Sequence, residues 1–63
     1  MKNKIKEIRG KKGITQGELA RLTGLSVGYI CHLERGSRVN PSYNTMVIIS
    51  KALNTDVAVI FEL

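Results

Sequence analysis

The chain has 63 residues, with 10 Lys and Arg against 5 acidic side chains and a net charge of +5. That length fits a single domain, 1–63, that buries only about 60% of its unfolded surface and has no room for an enclosed active-site cavity beside its core. The basic balance favours a polyanion partner, nucleic acid before an anionic membrane surface. The one cysteine, Cys31, excludes an internal disulfide and suits a reducing cytosol. No apolar stretch approaches the roughly 18 residues of a membrane span. The basic start lacks the apolar core of a secretory leader, so a cytoplasmic protein is expected.

In chain order, Asn3 can cap a first helix that places Ile5 and Ile8 on one inner face, with Gly10 weakening it and Gly13 ending it. Thr15-Gln16-Gly17-Glu18 has the form of a capping box, in which hydroxyl and carboxylate satisfy each other's free backbone N–H groups. Leu19, Ala20 and Leu22 then form the apolar side of a second helix, and Gly24 stands where a left-handed stop is needed. Ser26 can cap a third helix running to about Arg35, with Gly36 as its stop. A polar loop, 37–41, carries Arg38 and Asn40. Ser42 caps a fourth helix through Leu53, and Asn54 ends it. Asp56 opens either a last short helix or a strand over Val57 to Phe61; the periodicity does not decide between them. Two short helices joined by about three residues, one a glycine, form the signature of a helix-turn-helix, whose second helix projects from the domain.

The third helix carries an unusual outer face. At about 100° per residue, Ile30 and Leu33 define its inward side, and Val27, Gly28, Cys31 and His32 fall opposite. A face turned to water is ordinarily Lys, Glu and Gln; this one is uncharged. It suits base edges: Val27 against a thymine methyl, His32 donating to a purine N7 or guanine O6, Cys31 beside a methyl, and Gly28 letting the backbone approach.

The ordered set IKEIRGKKGITQGELARLTGLS, YICHLERGSRVNPS and TMVIISKALNTDV resembles the phage repressor and Cro-like (XRE-type) helix-turn-helix domains over nearly the whole chain. The resemblance implies an all-α, λ-repressor-like bundle of four or five short helices and a homodimer that reads two half-sites of double-stranded DNA. It implies phosphate contacts from Gln16 at the start of helix 2, and from Ser37, Arg38 and Asn40 in the loop after helix 3. Ser26 belongs to the same expected set. Tyr29 either offers its hydroxyl to a phosphate or packs its ring against helix 2. Arg9 and Glu34 match the family's structural ion pair between helices 1 and 3.

Helix 4 and the tail carry more apolar residues than one core stripe uses. Val47 and Ile48 are extra on helix 4; Val57, Ile60 and Phe61 could cover the core, leaving Val59 and Leu63 surplus. All seven are expected in or beside a dimer interface, with residues 55–63 as a dimerisation tail. Cys31 and His32 project about 100° apart and have no further Cys or His to complete a zinc site, so no metal or other cofactor is expected. No catalytic constellation, phosphate-cradling glycine loop or small-molecule site is evident, and the chain is not expected to be an enzyme. The expected function is a sequence-specific DNA-binding transcriptional regulator, a bacterial or phage repressor that occludes a promoter. The alternative is a protein-interaction module of the same fold, antitoxin-like or a co-regulator. With no separate effector domain in these residues, control would come from concentration, a partner or Cys31 chemistry.

Overall fold

The computed structural model describes residues 2–36 and 40–63. Five helices follow one another: α1 (Ile5–Lys12), α2 (Gln16–Thr23), α3 (Val27–Glu34), α4 (Tyr43–Ala52) and α5 (Val57–Ile60). All regular structure among the described residues is helical. The tail, open between helix and strand in the sequence, is a helix because Asp56 caps it: its carboxylate accepts from the N–H of Ala58 at 3.1 Å. No helix among the described residues is long and apolar enough to cross a membrane.

Short helices need their ends satisfied, because each leaves four N–H and four C=O groups without an internal partner. The hydroxyls of Thr15, Ser26 and Ser42 each accept from the N–H three residues on. These caps start α2, α3 and α4 at the residues the sequence marks for them. Only half of the capping box is present. Thr15 receives the Glu18 N–H, while the Glu18 carboxylate reaches toward Arg21 at 3.9 Å. At the other ends, α1 closes at Gly13, where Ile14 N–H bonds the Arg9 carbonyl and Gly13 N–H the Gly10 carbonyl. Helix α4 closes in the same way at Asn54, which adopts φ 50°, with Thr55 N–H on Ser50 and Asn54 N–H on Lys51. Both are six-residue Schellman closures.

One core draws on every helix: Ile5 and Ile8 from α1, Leu19 and Ala20 from α2, Ile30 and Leu33 from α3, Met46, Ile49 and Leu53 from α4 and its cap, and Ile60 and Phe61 at the end. Small Ala20 lets α2 sit close to its neighbours. α2 packs on α3 and α4, α5 on α4, and α1 on α3. Two expectations are corrected by this arrangement. Leu22, placed on the apolar side of α2, is exposed. Ile60 and Phe61, expected at a dimer interface, are 0% and 2% exposed and belong to the protomer's own core. Helix α5 packs on α4, and its end supplies the core positions beside that helix.

The turn between α2 and α3 depends on Gly24, at φ 78°, and on Thr23. The Thr23 hydroxyl donates to the Leu19 carbonyl at 2.8 Å and accepts from the N–H of Leu25 at 3.3 Å. An L side chain at Gly24 is strained even though nothing lies within 4 Å of its Cβ position. Gly28 is the opposite case: it is helical, and its Cβ position is equally open. Gly24→Ala is therefore expected to destabilise the fold by about 1 to 2 kcal/mol. Gly28→Ala is expected to stabilise it by about 0.5 to 1 kcal/mol. Urea unfolding of the two variants should move the midpoint in opposite directions; a shift of the same sign in both contradicts this reading.

Candidate nucleic-acid interface

The orientation of α3 follows from its two anchors. Ile30 and Leu33 are 0% and 1% exposed, fixing the inward side. Val27, Gly28 and His32 are then exposed, and Cys31 is half-buried at the margin of the same face. The four residues expected to face a duplex thus lie together on the outer side of α3. Tyr29 is half-buried and packs against the core.

The C-terminal end of α3 is held by a buried polar network. Arg9 Nε donates to Glu34 Oε2 at 2.7 Å and Nη2 to Oε1 at 3.2 Å, a two-pronged contact. Arg9 Nη1 also donates to the Ile14 carbonyl at 2.8 Å, tying in the α1–α2 connection. Gln16 Nε2 donates to Glu34 Oε1 at 2.9 Å. The two charged side chains are only 14% and 4% exposed, so the pair is protected from solvent screening. Among the described residues, no side-chain N or O atom that is fully buried lacks a partner.

Burial alone pushes the Glu34 carboxyl up. Hydrogen bonds from Arg9 and Gln16, with the charges of Arg9 and Lys6, outweigh that and hold it below its ordinary value. The Glu34 hydrogen bond raises Arg9, against a smaller opposing effect of burial. Arg9 is therefore charged throughout the accessible range, and Glu34 is the titrating member.

The remaining expected residues are distributed unevenly. Gln16 is half-buried and engaged with Glu34 through one amide hydrogen, an interaction not foreseen in the sequence. Ser26 is exposed and receives the Tyr29 N–H while capping α3. Asn40 is exposed. Ser37 and Arg38 lie outside the described residues. Val59 and Leu63 are 50% and 66% exposed, and Ile48 is also exposed. Val47 and Val57 are half-buried and line an open cleft of about 450 Å³ with Tyr43, Lys51 and Asp56. This surface is on α4 and α5, separate from the outer face of α3. Asn3 was expected to cap α1; the cap position is instead Lys4, which makes no side-chain cap hydrogen bond, and Asn3, one residue earlier, bonds the Ile5 N–H. Its contact to α3 has no signal in local spacing. No group of three His, Cys, Asp or Glu side chains among the described residues is arranged to hold a metal ion.

Because the folded carboxyl of Glu34 titrates below its unfolded value, its contribution to stability is complete above about pH 4.3 and disappears as pH falls through the lower folded value. Glu34→Gln should destabilise the domain by on the order of 2 kcal/mol near neutrality, since it leaves Arg9 short of its charged partner. It should also flatten the fall in stability below about pH 4.3. Urea midpoints measured from pH 3 to pH 7 check both; parallel pH profiles for wild type and variant would contradict the assignment.

Known proteins are similar to this chain in sequence and fold. The helix-turn-helix family HTH_3 matches residues 5–60. The chain is 38% identical over 53 residues to the control protein C.SmaI of Serratia marcescens, covering 84% of this chain and 62% of that protein. It is 39% identical over 57 residues to the immunity repressor protein of Bacillus phage phi105, covering 90% of this chain and 39% of that one. It therefore spans less than two thirds of the length of either relative. The crystal structure of the wild-type restriction-modification controller protein C.Esp1396I superposes with a TM-score of 0.77 at 41% identity, covering 92% of this chain and 74% of that one. Sharing its helices from α1 to α5 with that family, the chain belongs to the XRE-type helix-turn-helix proteins.

Proposed function

We propose that this chain is a sequence-specific DNA-binding regulator of transcription, a repressor that binds a palindromic operator as a homodimer. Helix α3 enters the major groove, and the two copies place their α3 helices about one helical turn, roughly 34 Å, apart. The observation that carries this reading is the outer face of α3. It is exposed, uncharged and aimed away from two fully buried anchors, on a chain of net charge +5. Such a face is poorly suited to water and well suited to base edges. Relatives that are a control protein and an immunity repressor support the same reading.

In this proposal Val27, Gly28, Cys31 and His32 read bases. Gln16, through the amide hydrogen not bonded to Glu34, contacts phosphate with Ser26, Asn40 and the Tyr29 hydroxyl. These contacts add affinity without sequence information and weaken as salt rises. Ser37 and Arg38 belong to the same expected set by position in the sequence. The exposed Ile48, Val59 and Leu63, with half-buried Val47 and Val57, form the self-complementary patch. The same patch is the feature that favours the second reading, a module whose main partner is another protein. Salt separates the two: groove binding falls steeply with ionic strength, whereas association through an apolar patch does not.

Selection of bound duplexes from a random pool tests the proposal directly. A palindromic consensus is expected; a pool that stays random overturns it. His32→Ala should lower discrimination at one base pair of each half-site by about 1 kcal/mol, roughly fivefold, and leave binding to scrambled duplexes unchanged. Gly28→Ala should weaken operator binding although it stabilises the free protein, because the added methyl occupies the space through which the backbone approaches the groove. Equal loss on all sequences for His32→Ala, or unchanged operator affinity for Gly28→Ala, contradicts the assigned roles. Val59→Asp should shift sedimentation toward the monomer with the fold intact; an unchanged association constant would remove Val59 from the interface.

A further inference from the structure

Helix α3 is fastened to α1 at a second point, and that fastening is made by Asn3. Its Nδ2 donates to the Leu33 carbonyl at 2.8 Å, while its Oδ1 accepts from the Ile5 N–H at 3.1 Å. The same amide thus bonds the first N–H of α1, from one residue before the cap position Lys4, and holds the end of α3. Leu33 carries one of the carbonyls that a helix C-terminus leaves without a regular intrahelical partner; Gly36 N–H also bonds it, at 3.1 Å. The segment bearing Asn3 is itself anchored. The next residue, Lys4, donates its N–H to the Ile60 carbonyl at 2.8 Å, and Ile60 is fully buried.

The two-pronged Arg9–Glu34 contact and the buried Ile30 and Leu33 set which side of α3 faces inward, and a further contact limits the small roll that such packing allows. Arg9 and Gln16 hold the Glu34 side chain, and Asn3 holds the adjacent backbone carbonyl from the segment just before α1. The two fastenings together limit that roll. Roll matters here because of leverage. At a side-chain radius of about 5 Å, a roll of roughly 10° displaces the outer atoms of α3 by about 1 Å. Hydrogen bonds to base edges lose alignment over such a distance, whereas contacts from long side chains to phosphates adjust.

We propose that Asn3 is a positioning residue for sequence discrimination: it sets the roll of α3 and so the register of Val27, Cys31 and His32 against base edges. This rests on the reading of α3 as the base-reading helix. Two variants separate positioning from folding. Asn3→Ser keeps an oxygen able to accept from the Ile5 N–H but cannot reach Leu33. Asn3→Asp keeps the acceptor for the Ile5 N–H and sets a carboxylate against the Leu33 carbonyl.

The experiment measures, for the full chain at one salt concentration, the affinity ratio between the duplex selected by wild type and its scrambled counterpart, together with the thermal midpoint. Both variants should lose a few degrees of thermal midpoint, as one lost hydrogen bond does in a domain of this size, and should in addition lower the ratio about fivefold at a temperature where each is fully folded, with scrambled-duplex affinity unchanged for Asn3→Ser. An unchanged ratio in both variants overturns the proposal while leaving DNA recognition standing. A ratio that falls only in step with the thermal midpoint also overturns it, by assigning Asn3 to folding alone. A wild type that prefers no duplex refutes the functional reading itself, and the positioning role with it.

Discussion

The contact on which the rest depends is the pairing of Arg9 with Glu34. It joins the first helix to the last residue of the third, and through the Ile14 carbonyl and Gln16 it gathers the start of the second. Three elements thereby meet at one carboxylate. A buried ion pair adds little net stability over an apolar substitute, since desolvation offsets much of the attraction. What it supplies is geometry: a two-pronged guanidinium–carboxylate contact is directional, and Leu33 and Ile30 alone would tolerate sliding. The domain uses apolar burial to hold α3 in and polar contacts to fix how it is presented.

That division explains why the outer face of α3 can be so lightly built. Its residues have no part in the core, and Gly28 has open space where a methyl could stand. A glycine inside a helix costs stability, and nothing in the protomer offsets that cost. In the proposed function the compensation arrives with the duplex, when the backbone comes close to the groove floor. The exposed apolar residues of α4 and α5 stand in the same relation to a second copy. In that proposal a small domain carries two incomplete surfaces, the uncharged outer face of α3 and the apolar patch of α4 and α5, each covered by a different partner.

Much of this was legible in the residues. Thr15, Ser26 and Ser42 begin helices because a hydroxyl at that position has a local partner three residues on; Gly13, Gly24 and Asn54 end them because they tolerate a left-handed backbone. Such rules act within one turn, so spacing reveals them. The inward direction of α3 follows from two residues three apart. Other features were hidden for the converse reason. Asn3 reaches Leu33 across 30 residues of chain, and Gln16 reaches Glu34 across 18; neither distance leaves a mark on local pattern. The tail stayed undecided because an apolar run of a few residues has no period of its own. Whether Ile60 or Val59 turns inward depends on where α4 leaves a gap, and the structure gives that place to Ile60 and Phe61. Leu22 fits an apolar stripe on α2 by spacing, yet lies beyond the reach of the helices that cover Leu19 and Ala20.

The claim at the centre is that α3 is locked with its uncharged side outward and that a duplex meets this side. Backbone amide shift mapping of the 15N-labelled protein, titrated with its selected duplex, tests it most directly. Changes concentrated on Val27, Gly28, Cys31 and His32, with those of α4 and α5 small, are the predicted result. Changes confined to α4 and α5, with the amides of α3 unmoved at saturation, would contradict it.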